Sequence, residues 1–169
     1  EIIKPALNRV EPVCSVAKSC GGCQLQHLSY EGQLQYKQNK IMSCLQRIGG
    51  FKDIPMEPIM GMEEPYHYRN KAQFPVGRDK NGKIITGFYA GRTHSIIPCE
   101  DCAIGDKINS EILAIVKSHM EEYKIQPYNE ETHKGVVRHI LIRRGFTTNQ
   151  CMVCIIINGS EIKGSMKLV

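Results

Sequence analysis

Three cysteines lie close together near the start of the chain: Cys14, Cys20 and Cys23. Thiolates at such short spacing bind soft metals and iron–sulfur clusters, because a short loop brings them together at little entropic cost. Two glycines separate the last two cysteines, and without a Cβ they let the backbone turn tightly around a metal centre. The spacing therefore predicts a metal centre in this segment.

A site made of four thiolates needs one more ligand than these three, and the candidates are Cys99 and Cys102. Two arrangements remain open on spacing alone. The pairs Cys20-x-x-Cys23 and Cys99-x-x-Cys102 would form a tetrahedral zinc site, which leaves Cys14 unexplained. Alternatively, the early three cysteines and one of the later pair would hold an iron–sulfur cluster.

The chain has eight cysteines in all, so a disulfide framework is the alternative to a metal centre. We expect enough buried core without disulfides, because 169 residues can fold around a real hydrophobic interior. Cys44 falls within a predicted helix. Cys151 and Cys154 are three apart in a predicted strand, so their side chains point to opposite faces and we expect small core residues rather than joint ligands.

The elements that must position these residues begin with a helix over about 30–48. Ser29 is a typical N-cap and the glycines at 49 and 50 end the helix. One side of this helix is polar, so we expect it to dock by its other face. The apolar residues of that face recur at helical spacing: Tyr30, Leu34, Ile41, Leu45 and Ile48.

The rest of the chain alternates between strand and helix patterns. Residues 66–76 alternate, with Ala72, Phe74 and Val76 on one face and Arg69, Lys71 and Gln73 on the other. The turn Asp79-Lys80-Asn81-Gly82 predicts a hairpin. Further strands are expected over 84–89 and 93–97, and a hairpin over 136–144 and 150–157. A second helix is expected over about 107–124, where apolar residues recur at helical spacing: Ile108, Ile112, Ile115, Val116, Met120 and Tyr123.

These patterns predict an α+β fold with a mainly antiparallel sheet, flanking helices and a cysteine-rich loop. We expect three parts: a lead-in and cysteine loop (1–28), the docking helix (29–50) and a central α+β region (51–169). The chain begins at Glu1 rather than Met, from which we expect a piece of a longer protein.

The net charge of +5 suits an anionic partner, although charge alone is explained equally well by an ordinary basic surface. The apolar fraction of 41% and the charged fraction of 23% are typical of globular proteins.

No apolar run approaches the roughly 20 residues that a membrane span needs. We expect a cytoplasmic protein without a membrane partner.

Several long motifs together resemble the bacterial RNA uracil-5-methyltransferases, S-adenosylmethionine-dependent enzymes that methylate uridine in 23S ribosomal RNA or transfer RNA. The first motif is Arg9-Val10-Glu11-Pro12-x-Cys14-x5-Cys20-Gly21-Gly22-Cys23-Gln24-x-Gln26-His27-x-x-Tyr30. The others are Tyr68-Arg69-Asn70-Lys71-Ala72-Gln73-Phe74-Pro75-Val76-Gly77, Gly87-Phe88-Tyr89 with His94 and Ile96, and Arg138-His139-Ile140-Leu141-Ile142-Arg143.

The resemblance implies a [4Fe–4S] cluster bound by Cys14, Cys20, Cys23 and Cys102, with Cys99 as the alternative fourth ligand. The cluster would have a structural role, because ligation contributes folding free energy directly, and an electron-carrier function is disfavoured by the cysteine spacing. The family's RNA-binding barrel, its S-adenosylmethionine-binding domain and its catalytic residues are expected outside this chain. We therefore expect the chain alone to be inactive.

In the family the helix after the cysteine loop packs on the catalytic domain. We therefore expect the chain by itself to cover this helix by self-association or to leave it mobile.

With the resemblance, basic and aromatic residues on strands and turns become candidates for RNA contact, since cations neutralise phosphates and rings stack on unpaired bases. We expect 23S ribosomal RNA ahead of transfer RNA. The alternative function is a zinc- or cluster-binding RNA-binding module without enzymatic activity. The candidate RNA-binding residues are Arg69, Lys71, Phe74, Arg92, Arg138, Arg143 and Arg144.

Overall fold

The structure, a computed structural model, describes residues 2–168. Its centre is one antiparallel sheet of five strands in the order β3-β2-β1-β4-β5. The first hairpin turns at Asp79, whose carboxylate accepts from the backbone N–H groups of Asn81 and Lys83 at 2.9 Å each, and Gly82 takes a φ of 81°. The strands are β1 (Lys71–Arg78), β2 (Ile84–Tyr89), β3 (Ile96–Pro98), β4 (Val137–Arg144) and β5 (Cys151–Ile157).

Two α-helices accompany this sheet, α1 (Tyr30–Arg47) and α2 (Ile108–Glu122), and a short 3-10 turn spans Ser165–Lys167. Ser29 caps α1 as predicted: its hydroxyl oxygen accepts from the N–H of Gly32 at 3.1 Å. The predicted α+β class with a mainly antiparallel sheet is confirmed, and both predicted hairpins form. The first strand begins at Lys71 rather than at residue 66.

The hydrophobic core lies between one face of the sheet and α2. Phe74 of β1 is 1% exposed and packs in one cluster with Ile140 of β4 and with Leu113 and Met120 of α2. Helix α2 therefore turns a face containing Leu113 and Val116 inward, whereas Ile115, one of the apolar residues at helical spacing, is exposed. The buried stripe of α2 runs through residues 109, 113, 116 and 120, and Ile115 lies outside it.

The opposite face of the sheet is open and carries exposed side chains. Lys71 of β1 lies opposite Arg143 of β4, and Arg143 lies opposite Met152 of β5. Cys151 and Cys154 are both exposed on β5, which is an edge strand. The expectation that these two cysteines are core residues was therefore wrong: an edge strand has a neighbour on one side alone and buries less of its surface.

Helix α1 stands apart from the sheet and packs on the segment that follows it. A Cβ at Gly61 would lie 3.0 Å from Cδ1 of Leu34, and Gln38 accepts from the N–H of Ile59 at 3.1 Å. This segment covers the first half of the predicted apolar stripe, while Ile41 and Ile48 farther along it are 52% and 84% exposed. Among the described residues, no helix is long and apolar enough to cross a membrane.

Candidate cysteine centre and RNA-binding surface

Five cysteines from distant parts of the chain line one small cavity of about 20 Å³. The early three come from the irregular segment before α1, and the later pair comes from the loop after β3. Apolar side chains, among them Phe88 and Ile104, complete the lining, and Arg69 is the one charged residue among the described residues that line it. The cysteines that meet in this cavity are Cys14, Cys20, Cys23, Cys99 and Cys102.

The early cysteines are held against the edge of the sheet by backbone contacts. Cys20 forms an antiparallel bridge with Ala90, and the N–H of Gly21 donates to the carbonyl oxygen of Tyr89 at 3.1 Å. A Cβ at Gly21 would lie 3.1 Å from the Cα of Gly91, so this close approach favours glycine. The cysteine loop is thus attached to the chain directly after β2.

The later cysteines are held by the strands on the other side of the cavity. The N–H of Cys99 donates to the carbonyl oxygen of Thr86 at 3.1 Å, which continues the pairing of β2 with β3. The N–H of Arg69 donates to the carbonyl oxygen of Ile104 at 2.9 Å, in a parallel bridge between Arg69 and Gly105. This bridge places Arg69 beside the loop that carries Cys102.

The two later cysteines differ in their ease of ionisation. A hydrogen bond from the Cys99 thiol, together with the N–H groups of Ile104 and Gly105 and the charge of Arg69, lowers the pKa of Cys102 to about 6 despite its burial. The same hydrogen bond, and then burial, raise the pKa of Cys99. Cys99 Sγ also lies 3.5 Å from the carbonyl oxygen of Asp101. A lowered pKa is the direction that favours a thiolate ligand, so it agrees with the choice of Cys102 that the resemblance implies.

Thiol side chains among apolar neighbours are a donor set that suits a soft metal centre, either a zinc ion or an iron–sulfur cluster. Although five cysteines line the cavity, no three His, Cys, Asp or Glu side chains within residues 2–168 lie close enough together to hold a metal ion as they stand. Apolar neighbours and hydrogen bonds to sulfur, such as the one from the N–H of Gly22 to Cys20 Sγ at 3.4 Å, are features that tune cluster sites. The cavity, at about 20 Å³, has room for about one water molecule.

Two of the predicted RNA-binding residues lie side by side on the open face of the sheet. Lys71 and Arg143 are exposed cross-strand partners, and neither forms an ion pair within the described part of the chain. Both line an open groove of about 820 Å³ at the end of the sheet, with Asn70, Thr148 and Gln150. Two unpaired cations among amides and a hydroxyl form a surface that suits phosphate oxygens.

Other predicted RNA-binding residues have different surroundings. Phe74 lies in the core, so its assignment to base stacking was wrong: the alternation that placed it with Ala72 and Val76 marks the buried face. Arg144 is bound to Asp106 at 2.8 Å and to Asn149 at 2.9 Å. Arg138 is bound to Glu130 at 3.0 Å and stacks on the ring of Tyr128, 4.5 Å from its centroid. Arg92 is exposed in the turn after β2, with a φ of 63°.

Sequence reasoning assigned Gln26 and Tyr66 no role, and it placed Tyr30 on the docking face of the first helix but not at the site. The side chain of Gln26 accepts from the N–H of Cys14 at 3.3 Å and lies in hydrogen-bond reach of Cys23, so it links two of the early cysteines. Tyr30 and Tyr66 line a groove beside the cysteines. Gln26 and Tyr30 stand within the first motif, which was the available signal, whereas nothing in the sequence marked Tyr66.

No protein-family model matches the chain. Uncharacterized RNA methyltransferases of Clostridium tetani and Clostridium acetobutylicum are 44% and 43% identical to it over 168 and 171 residues. These alignments cover 99% and 100% of this chain but 36% and 37% of the relatives, so the chain spans a little over a third of their length.

A solved structure is similar along the whole chain as well. It is the Pyrococcus abyssi tRNA (uracil-54, C5)-methyltransferase in complex with S-adenosyl-L-homocysteine, with a TM-score of 0.70 and 25% identity. The match covers 100% of this chain and 37% of that one. The resemblance to RNA methyltransferases that the motifs predicted is thereby confirmed along the whole of this chain.

Proposed function

We propose that this chain is the cluster-bearing, RNA-contacting part of an S-adenosylmethionine-dependent RNA uracil-5-methyltransferase. The observation that carries the proposal is the meeting of Cys14, Cys20, Cys23 and Cys102 in one cavity, directly beside Arg69 and the end of the sheet. The name of the solved neighbour supports uracil C5 as the target atom.

In this proposal the four cysteines hold a [4Fe–4S] cluster and Cys99 donates a hydrogen bond to the Cys102 sulfur. The cluster, when bound, supplies free energy of ligation that holds the early loop to the sheet. The chain's own residues bind and orient RNA: Lys71 and Arg143 neutralise phosphates on the open face, and Arg69 joins this surface to the cysteine centre. Arg92, Arg138 and Arg144 stay predictions as RNA contacts.

The methyl donor, the catalytic residues and an RNA-binding barrel belong, in this proposal, to other parts of the parent protein. The parts of this chain keep the predicted limits: a lead-in with the cysteine loop over 1–28, the docking helix over 29–50 and an RNA-facing region over 51–169. Residues 1 and 169 lie outside the described structure. The neighbour's name concerns transfer RNA, whereas our expectation from the motifs remains 23S ribosomal RNA.

The metal content is tested by purifying the chain without oxygen and measuring iron, sulfide and zinc. We expect about four irons and four sulfides per chain, as the proposed [4Fe–4S] centre requires. One zinc per chain without iron would contradict the cluster and support the paired Cys-x-x-Cys site instead.

The RNA surface is tested by measuring affinity for single-stranded RNA as a function of salt. Replacing both Lys71 and Arg143 by alanine removes two phosphate contacts, so we expect the slope of log K against log salt to become shallower by about 1.4. The matched control removes two exposed lysines elsewhere, Lys134→Ala and Lys163→Ala. Equal slopes for the wild type and the first variant would exclude this surface as the RNA site.

A further inference from the structure

A second groove, of about 410 Å³, lies between α1, the cysteine loop and the segment 62–69. Three tyrosines contribute to its walls: Tyr30 from α1, and Tyr66 and Tyr68 from the segment before β1. The groove shares Cys23, Gln26, Arg69 and Ile104 with the cysteine cavity, so the two sites are adjacent. Its volume falls in the range of small-molecule sites in proteins.

One wall of this groove is fixed by contacts within the chain. The N–H of Met62 donates to the hydroxyl oxygen of Tyr30 at 2.6 Å, which ties the segment after the helix to the start of α1. Gly61 lies against Leu34 and Tyr30, and the N–H of Ile59 donates to Gln38. Tyr30 is thus held as part of the wall, and the groove is formed before any ligand binds.

The other two rings are available to a ligand. Tyr66 and Tyr68 are 37% and 46% exposed, although a tyrosine ring is largely apolar and its exposure loses hydrophobic stabilisation. An aromatic ring that is exposed in a preformed groove is a natural stacking surface for a planar ligand.

The polar residues of the groove restrict the charge of that ligand. Three carboxamides, those of Gln24, Gln26 and Gln33, line it, and carboxamides donate to and accept from the edges of nucleobases. Lys37 and Arg69 supply two positive charges, and no carboxylate is among the described lining residues. A planar ring would stack on the tyrosines, its polar edge would hydrogen-bond to the carboxamides, and an attached anion would pair with the positive charges.

We propose that this groove binds one unstacked nucleotide of single-stranded RNA, beside the cysteine centre. The base stacks on Tyr66 or Tyr68, glutamine side chains hydrogen-bond to its edge, and the phosphate lies near Lys37. The proposal rests on the RNA-binding function proposed above and adds a base-contacting site to the phosphate-contacting surface of Lys71 and Arg143. RNA-binding proteins commonly combine these two kinds of contact in recognising unpaired nucleotides.

The test measures the affinity of the anaerobically purified chain for single-stranded RNA after Tyr66→Ala and Tyr68→Ala. Loss of one base–aromatic stack is expected to weaken binding about 5- to 150-fold, while the salt slope stays that of the wild type because no phosphate contact is lost. Tyr68→Phe keeps the ring and should bind like the wild type. Tyr36→Ala, which removes an exposed tyrosine of α1 outside the groove, is the matched control.

Crosslinking gives a second readout that does not depend on the variants folding normally. RNA containing 4-thiouridine, irradiated with the wild-type chain, should crosslink to the peptide that carries Tyr66 and Tyr68. Crosslinks confined to the sheet peptides, or normal affinity of both alanine variants, would overturn the groove proposal. If the Lys71 and Arg143 double alanine variant nevertheless binds single-stranded RNA more weakly than the wild type, the proposed RNA-binding function stands. If the wild-type chain binds no RNA, both proposals are wrong.

Discussion

Cys99 and Cys102 lie three residues apart at the same cavity, yet their surroundings prepare them for different roles. The hydrogen bond between the two thiols lowers the pKa of Cys102, as do the N–H groups of Ile104 and Gly105 and the charge of Arg69, and the same hydrogen bond raises the pKa of Cys99. We expect Cys102→Ser to lose most of the iron and Cys99→Ser to retain it, measured as iron per chain after anaerobic purification. Retention in the first variant and loss in the second would make Cys99 the fourth ligand.

Arg143 and Arg144 are sequence neighbours whose side chains point to opposite faces of β4. Arg144 binds the buried carboxylate of Asp106, which also accepts from the N–H of Ile108 at 3.0 Å at the start of α2. We expect Arg144→Ala to lower the free energy of unfolding by about 2 kcal/mol, below the range for a fully buried pair because Arg144 is 27% exposed.

Arg143→Ala is the matched comparison, with an expected stability change within about 0.5 kcal/mol and a weaker affinity for RNA. Urea unfolding at constant ionic strength checks the stability of both variants. A destabilised Arg143 variant, or an unaffected Arg144 variant, would contradict this assignment of roles.

Strand β3 is short, and it approaches β2 so closely that the neighbouring position in β2 must be a glycine. A Cβ at Gly87 of β2 would overlap the carbonyl group of Ile97 in β3. Gly87→Ala must therefore push β3 away and shift the loop of Cys99 and Cys102 that follows it. We expect a loss of at least about 2 kcal/mol in unfolding free energy and a lower iron content.

Gly91→Ala serves as the control for this change, since a Cβ there meets no atom within 4 Å and Gly91 has no positive φ. We expect it to keep wild-type stability and iron. Comparable iron loss in both variants would show that the turn after β2, and not the β2–β3 contact, positions the later cysteines.

Local patterns predicted most of the elements, because capping, turn chemistry and alternation act over a few residues. Ser29, the Asp79 turn and the buried alternation of Ala72, Phe74 and Val76 were all readable in this way. The surroundings of single residues were harder to predict. An aromatic residue in an alternating strand fits both a buried face and a face that stacks on bases, so the pattern alone did not place Phe74 in the core. The partner of Arg144 could not be predicted, since Asp106 is distant in sequence and the two meet through the tertiary fold.

The candidate site was predictable as a set of residues but not as a geometry. The motifs named Cys14, Cys20, Cys23 and Cys102, and the structure brings all four to one cavity. The choice against Cys99 depends on hydrogen bonds to sulfur, and these arise from backbone conformation around Ile104 and Gly105. The tyrosine groove forms where three separate segments meet, so no spacing rule marks it.

For the whole molecule, the far end of α1 exposes the apolar residues Ile41 and Ile48. We expect the chain by itself to associate weakly through this surface, because covering large apolar side chains is favourable. Sedimentation at increasing concentration should show a rising average mass, and Ile41→Glu should abolish the rise. Gln46→Glu, an equal change of charge on another side of the helix, should leave it intact. A constant monomer mass over the concentration range would contradict self-association through α1.

The bridge between Cys20 and Ala90, and the long interval of chain between Cys23 and Cys102, have a consequence for biosynthesis. Closing so wide a loop is slow and entropically costly until β2 and β3 have paired. The emerging polypeptide therefore cannot present all four thiolates until the segment after β3 has left the ribosome. In this proposal a cluster on all four thiolates forms only after β2 and β3 have paired, so a chain arrested before Cys102 should accumulate without iron.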